Sequence, residues 1–251
     1  MKKKAVLTLM VVMAMLATGV AKGQAGAVDS SEVVISRYMQ ILNYEALRAD
    51  STFYMETIIY KRSKPDDTAI LKRWFRAPNL FRAELWHGDT LLQGCYTNGK
   101  DKYRMYDHGF ADIWSNADIG QYYFFASGFD FRGALYQRKS DGSEFRYDGV
   151  WEYKGHEVYK IYAEAPERYN RYYLFEKESG LLFLIEETNH HSAFSNNKAF
   201  DHPDLHGFHE YQPFRGMIIP SIESYQMEGD MLFYYSSFDY QPNNNDIFEK
   251  D

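Results

Sequence analysis

The feature that most constrains the fold is a succession of short aromatic and β-branched segments separated by turn residues. Residues 51–62, 71–76 and 80–86 form the first group, and residues 158–164, 171–175, 181–187, 218–225 and 231–238 form the second. Turn signals such as Lys64-Pro65-Asp66-Asp67, Asn98-Gly99, Asp141-Gly142 and Gly229-Asp230 stand between such segments. Both residues of an Asn-Gly or Asp-Gly pair tolerate positive φ. Locally linked strands of this spacing predict an antiparallel sheet that curls toward a barrel or half-barrel.

One helix is predicted ahead of the strands, which makes the fold class α+β but mainly antiparallel β. Asp29 can cap this helix, and Glu32 can complete a capping box. Tyr38, Ile41 and Leu42 follow at helical spacing and predict an amphipathic helix of four to five turns. Residues 114–127 fit a short helix or an irregular cover segment. Residues 190–213 are polar and rich in histidine, and they are predicted to form a long loop.

The N-terminus has the pattern of a secretory signal peptide. Three lysines at positions 2–4 precede an apolar run at positions 5–16, and small residues follow. The run is shorter than the roughly 20 apolar residues that span a bilayer. We expect residues 1–23 to be removed, although cleavage after Ala21 or Ala25 fits as well, and a permanent anchor is the alternative. Residues 24–251 are expected to form a single periplasmic domain.

Charge and cysteine content exclude several classes of protein. The chain has a net charge of −7, which becomes more negative when the leader lysines are removed, so a nucleic-acid partner is not expected. Cys95 is the only cysteine, and its apolar neighbours favour a buried thiol over a nucleophile. No cysteine lies near the leader, so we expect no lipid anchor at a processed N-terminus.

The segment at residues 75–82 resembles the strand-breaking Arg-Pro-Asn-Leu-Phe segment of the LolA-like periplasmic lipoprotein carriers. Residues 97–100 are similar to the next hairpin of those proteins. Later segments, in the right order, resemble the variant of this superfamily that is common in Bacteroidetes-type bacteria; they lie at residues 129–135, 155–161, 172–175, 179–182, 216–220 and 243–248. The resemblance spans nearly all of residues 24–251.

This resemblance implies a half-open antiparallel barrel whose concave apolar face is closed by helices. It also implies that this face shelters the acyl chains of lipoproteins or other lipids in the periplasm, with transient membrane contact. In the carriers an arginine directly precedes the proline and helps to hold the lid shut. Here Ala77 occupies that position and Arg76 stands one residue earlier, and a shift of one residue along a strand turns a side chain to the opposite face.

Candidate ligand-binding residues come from the predicted helix and the first strands. These apolar side chains are expected to line a cavity for acyl chains, and the alternative interpretation is that they belong to a packed core. The candidates are Tyr38, Ile41, Phe53, Met55, Ile59, Trp74, Phe81, Leu85 and Trp86.

We predict no catalytic residue, no metal site and no cofactor. The stretch that most resembles a reactive site is the histidine-rich loop, where His202, His206 and His209 lie near Asp201, Asp204, His190 and His191. Pro203 and the lack of a suitably placed glutamate favour a solvated loop over a zinc site. A Gly-x-Ser-x-Gly nucleophile elbow is also absent from the sequence.

Three functional hypotheses follow. The first is a periplasmic lipid- or lipoprotein-binding carrier, and the second is an envelope sensor or protein-binding module on the same scaffold, without lipid transport. The third is a hydrolase or metal-dependent enzyme centred on the histidine-rich loop. The first is favoured, with acyl chains as the expected ligands and envelope proteins as further partners.

Overall fold

The structure is a computed structural model. It describes residues 30–47, 50–106, 114–117, 129, 131–132, 134–137, 143–164, 170–187, 204–227 and 230–249. Within these residues, no helix is both long enough and apolar enough to cross a membrane.

The described strands all belong to one antiparallel sheet of 13 strands. In chain order they are β1 (Thr52–Lys61), β2 (Lys64–Arg76), β3 (Leu80–His87), β4 (Thr90–Thr97), β5 (Lys102–Tyr106), β6 (Trp114–Asn116), β7 (Glu144–Tyr153), β8 (His156–Glu164), β9 (Arg171–Glu176), β10 (Leu182–Glu187), β11 (Asp204–Phe214), β12 (Met217–Met227) and β13 (Asp230–Gln241).

Sequence neighbours are neighbours in space across almost the whole sheet. The spatial order is β6-β5-β4-β3-β2-β1-β13-β12-β11-β10-β9-β8-β7, so among the described strands β1 and β13 are the one pair of neighbours that are not consecutive in the chain. Among the described strands, β6 and β7 pair on one side only, which makes them the two edges of an open sheet. The architecture is therefore the curved half-barrel that the spacing of strands and turns predicted.

The helix α1 (Ser31–Leu42) is shorter than predicted, with 12 residues. The side chain of Ser30 caps it by accepting a hydrogen bond from the Val33 amide, and the predicted cap, Asp29, lies outside the described residues. The helix ends where Asn43 adopts a left-handed conformation with φ of 50° and its N–H donates to the Met39 carbonyl. The helix therefore begins after a serine N-cap and ends at an asparagine C-cap.

One face of the sheet carries the main hydrophobic core, and we call it the inner face. It bears Phe53 and Met55 of β1, and α1 packs on it through its buried side chains Val34, Ile35, Tyr38 and Leu42. The opposite face is called the outer face. Because side chains alternate along a strand, the pairing register of the strands assigns each strand residue to one of the two faces.

Two predicted loop or turn segments are strands in the structure. Residues 204–213 of the expected histidine-rich loop lie in β11, which pairs with both β10 and β12. The expected turn at residues 64–67 is the start of β2, and the chain turns at Arg62 and Ser63 instead. Residues 114–116 form strand β6, while residues 118–127 of the predicted cover segment lie outside the described residues.

Candidate functional site

The inner face is built from cross-strand rows of apolar side chains. One row runs through Phe81, Phe75, Phe53 and Tyr240, which are successive Cα partners on β3, β2, β1 and β13. Aromatic residues favour strand positions and pack well on a pleated surface, so this sequence of strands concentrates aromatic rings on one side. The row forms an aromatic layer beneath the segments that cross the inner face.

Two segments cover this aromatic layer. Tyr38 of α1 makes an edge-to-face contact with Phe175, with ring centroids 5.3 Å apart. On the other side, the Phe131 ring lies 4.7 Å from that of Phe53, and the Arg132 guanidinium lies 4.3 Å from the ring of Phe75. Phe131 is 8% exposed. The described part of residues 129–137 therefore closes one part of the inner face while α1 closes another.

Six of the predicted ligand-binding residues meet on this covered face. Phe53 and Met55 are 1% exposed, and Tyr38 and Phe81 are 5% exposed, so these four are buried in the main hydrophobic core. Ile59 and Leu85 lie on the same face farther along their strands and are half-buried. The inner face thus has a packed end and an end whose apolar side chains remain partly accessible.

Ile41 lies on α1 at the side of this cluster. A Cβ placed on Gly180, in the turn between β9 and β10, would lie 2.9 Å from Cδ1 of Ile41. The residue is half-buried against that turn. It therefore helps to seat the helix on the hairpin.

Trp74 and Trp86 do not share the face of the other candidates. Trp74 pairs with Tyr54 and Arg82, and Trp86 pairs with Ile70, all of which lie on the outer face by register. Trp74 and Trp86 therefore do not line the same wall as Phe53, which corrects the expectation from the sequence. Leu85 and Trp86 are consecutive residues of one strand, so their side chains point to opposite faces.

A polar cluster interrupts the apolar inner face, and sequence reasoning did not identify it. Arg73 is 7% exposed, and its Nη2 donates to Oγ1 of Thr57 over 2.6 Å. Its Nη1 lies 3.5 Å from the Phe129 carbonyl oxygen, and the Thr57 hydroxyl is 2.8 Å from that of Ser236. The sequence contains a signal for the burial of Arg73, which is strand alternation. Arg73 is two residues from both Leu71 and Phe75 on the same strand, so it shares their face, and both of these residues are buried. A buried guanidinium requires such partners, because burying an uncompensated charge is costly.

Glu223 and His206 extend this cluster across β12 and β11. Nε2 of His206 lies 2.7 Å from Oε2 of Glu223. Burial alone would raise the pKa of Glu223, but the hydrogen bond to His206 and the electrostatic interactions with His206 and Arg73 outweigh burial and lower it. Burial, reinforced by the charge of Glu223, raises the pKa of nearby Tyr234 to about 12. The carboxylate is therefore held in its ionised form inside the half-barrel.

The described histidines of β11 do not form a metal centre. His206 is paired with Glu223, while Nε2 of His209 lies 2.9 Å from the Ser224 hydroxyl. In the part of the chain that the structure describes, no three histidine, cysteine, aspartate or glutamate residues are grouped to hold a metal ion. The remaining members of the expected cluster, which are His190, His191, Asp201 and His202, lie outside the described residues.

The comparisons with known proteins identify the fold. No protein-family model matches the chain, and no curated protein matches it by sequence. Among solved structures, the chain is similar to a LolA superfamily protein from Nitrosomonas europaea, with 10% identity and a TM-score of 0.54 over 89% of this chain and 99% of that one. It is also similar to a DUF1329 family protein from Desulfovibrio piger, with 12% identity and a TM-score of 0.54 over 86% and 95%.

A third similar structure is a putative outer membrane lipoprotein-sorting protein domain from Vibrio parahaemolyticus. It has 10% identity and a TM-score of 0.51, and the match covers 85% of this chain and 94% of that chain. These likenesses span nearly the full length of each protein. The chain therefore has a LolA-like fold, as its sequence resemblance indicated.

Proposed function

We propose that this protein is a periplasmic carrier that binds lipid or lipoprotein acyl chains on the inner face of its open sheet. The observation that carries the proposal is a set of partly accessible apolar side chains that extends the inner face beyond the packed core. Ile59 pairs with Tyr234, and Tyr234 leads through the His206-bonded Glu223 to Phe208, so the apolar members of this cross-strand row border the polar cluster. Ile59, Tyr234 and Phe208 are all half-buried. The LolA-like fold supports the same function by analogy.

The proposed mechanism is shelter from water without chemistry. Each methylene of an acyl chain that leaves water for this face contributes about 0.8 kcal/mol. A chain first contacts the accessible end near Ile59 and Leu85, and deeper binding requires α1 or the segment that contains Phe131 to move aside. Binding and release then depend on a covered state that is only modestly favoured over an open one.

Export is part of the proposal. A leader at residues 1–23 would deliver the domain to the periplasm, where acyl chains in transit need protection from water. Intact-mass analysis of protein purified from the periplasmic fraction tests this step. A mass that retains the leader, or protein confined to the cytoplasm, contradicts it.

A matched pair of variants tests ligand binding. Ile59→Glu places a charge on the inner face, and Ile58→Glu places the same charge on the outer face of the same strand, where Ile58 is 44% exposed. The assay is the uptake of a fluorescent fatty acid and of a fluorescent diacylated lipopeptide by the delipidated exported protein. Ile59→Glu is expected to weaken uptake at least tenfold, because a charge beside a buried acyl chain costs more than the 1.4 kcal/mol of one decade.

The outcomes separate the carrier from its rival. Uptake by the unmodified protein and by Ile58→Glu, with loss in Ile59→Glu, supports the carrier. A well-folded protein that takes up neither probe, or equal uptake by both variants, overturns the inner-face site. If the well-folded protein takes up neither probe, a protein-binding module on the same scaffold becomes the better explanation.

A further inference from the structure

The outer face carries a second concave site, which is separate from the inner face. It is a cleft of about 490 Å³ between the strands β2 and β3 and the C-terminal segment. Small-molecule sites usually have volumes of about 300–1,000 Å³. The residues that line the cleft combine indole rings with charged and amide groups: Lys72, Trp74, Arg82, Glu84, Trp86, Asn244, Asp246 and Ile247.

The wall formed by the C-terminal segment is held in place by two arginines of the sheet. Nη1 of Arg82 donates to the carbonyl oxygens of Ile247 and Glu249 over 3.1 and 3.2 Å. Nη2 of Arg76 donates to Oδ1 of Asn245 over 2.6 Å, and its guanidinium lies 5.2 Å from the ring of the buried Phe248. Because these contacts fix the segment, the cleft exists before any ligand binds.

Both tryptophans of the cleft are held through their indole N–H groups. Nε1 of Trp86 donates to Oε2 of Glu84 over 2.9 Å, and Nε1 of Trp74 donates to Oε1 of Gln241 over 3.3 Å. The Glu84 carboxylate is in turn held by Nε of Arg82, which lies 2.6 Å from its Oε1. The rings are half-buried, so each keeps an accessible part. Aromatic side chains fixed in this way lose little conformational entropy on binding.

The charges of the cleft favour a neutral ligand. Lys72 and Arg82 are positive, Glu84 and Asp246 are negative, and Arg82 is paired with Glu84 over 2.6 Å. The Lys72 ammonium lies 5.6 Å from the Trp86 ring centroid and would repel a cation that approached the indole. Asp246, at the opposite wall, would repel an anion. The charged and amide lining also disfavours an acyl chain, since those groups would lose water without gaining partners.

We propose that this outer-face cleft, which we call the tryptophan cleft, binds a neutral saccharide. One face of a pyranose ring carries C–H groups and stacks on an indole, while the hydroxyl groups at its rim need hydrogen-bond donors and acceptors. Trp74 and Trp86 offer the aromatic surfaces. The Lys72 ammonium, the Asn244 amide and the Asp246 carboxylate offer the donors and acceptors within the same cleft. The volume accommodates a disaccharide unit of a larger glycan.

The test is a titration of the exported protein with maltose, cellobiose and N,N′-diacetylchitobiose, followed by tryptophan fluorescence and by saturation-transfer NMR. Choline chloride and a glucose phosphate serve as the cationic and anionic comparison probes. We expect at least one disaccharide to bind with a millimolar dissociation constant, and Trp86→Ala to weaken binding at least tenfold. Trp151→Ala is the matched control, because Trp151 is 49% exposed on the edge strand β7.

Asn244→Ala provides a second test if Trp86→Ala fails to fold, because Asn244 is exposed and its removal leaves the core intact. A threefold or larger loss of disaccharide affinity is expected. Acyl-probe uptake should be unchanged in Asn244→Ala, which separates this site from the inner face. No binding of any disaccharide, equal binding by Trp86→Ala and Trp151→Ala, or a preference for choline or the phosphate overturns the proposal.

Discussion

Two glycines in hairpin turns provide a direct test of how α1 is seated on the sheet. Gly155 joins β7 to β8 with φ of +87°, and Gly180 lies between β9 and β10 with φ of +74°. The two positions therefore impose similar backbone strain on any other residue. They differ in their surroundings: a Cβ at Gly155 meets nothing within 4 Å, whereas one at Gly180 would lie 2.8 Å from Nε of Arg37 and 2.9 Å from Cδ1 of Ile41.

The two alanine substitutions should differ by the cost of displacing the helix. Alanine in the left-handed region costs about 1–2 kcal/mol, and the more restricted unfolded chain returns about 0.4–1 kcal/mol. Gly155→Ala should therefore destabilise the protein by about 1 kcal/mol. Gly180→Ala adds overpacking, at about 1–2 kcal/mol because both blocking atoms belong to side chains that can shift. That shift also strains the hydrogen bonds from Arg37 to the carbonyl oxygens of Lys177 and Glu178.

Urea unfolding of the two variants and the unmodified protein measures this difference. The slope against denaturant should stay constant, so that the midpoints report the free energy of unfolding. Gly180→Ala should be less stable than Gly155→Ala by about 1–2 kcal/mol. If the two variants agree within about 0.5 kcal/mol, which is the usual error of such comparisons, α1 does not rest against the β9–β10 turn and the description of the cover is wrong.

Two further predictions concern the inner face. Phe53→Ala removes a ring that is 1% exposed and should lower the free energy of unfolding by about 3–5 kcal/mol, while Ile58→Ala on the outer face of the same strand should change it by less than 1 kcal/mol. Glu223→Gln should destabilise the protein by about 1–2 kcal/mol at neutral pH, since it removes a charged partner of His206. The pKa of Glu223 is lowered from its ordinary 4.5, so its stabilisation is complete above that pH and is lost as the pH falls through the lowered pKa. Urea midpoints measured from neutral to acidic pH should therefore converge for the two proteins, and a constant difference would contradict the assignment.

The sequence predicted those elements that are determined by local chemistry. The predicted segment at residues 80–86 is close to β3 (Leu80–His87), because its alternation and the flanking turns specify a strand without outside help. The strand at residues 51–62 is similarly close to β1 (Thr52–Lys61). At the helix, Asp29 and Ser30 are both good capping residues, and composition alone does not decide between them.

The sequence pattern did not predict those elements whose structure depends on their pairing partners. The polar, histidine-containing segment of β11 has the composition of a loop, yet it forms a strand because β10 and β12 supply hydrogen bonds along both sides. Strand preference depends strongly on such context. Trp74 and Trp86 differ from β11, because their placement depends on strand alternation, which is visible in the sequence. Apolar character alone does not separate Trp86 from Leu85, whereas alternation places these consecutive residues on opposite faces of β3.

Arginine placement is where this chain departs most clearly from the carriers that it resembles. Arg76 stands one residue earlier than the family's arginine, and its guanidinium binds Asn245 and lies over Phe248, on the side of the C-terminal segment. It therefore cannot hold a cover on the inner face. Ala77, which occupies the family position, is a half-buried apolar residue of the core. The arginine that reaches a covering segment from the inner face is Arg73, through the Phe129 carbonyl oxygen at 3.5 Å. The same β2 strand thus directs one arginine to each face, and the positions of these charges allow the inner face and the tryptophan cleft to be altered independently.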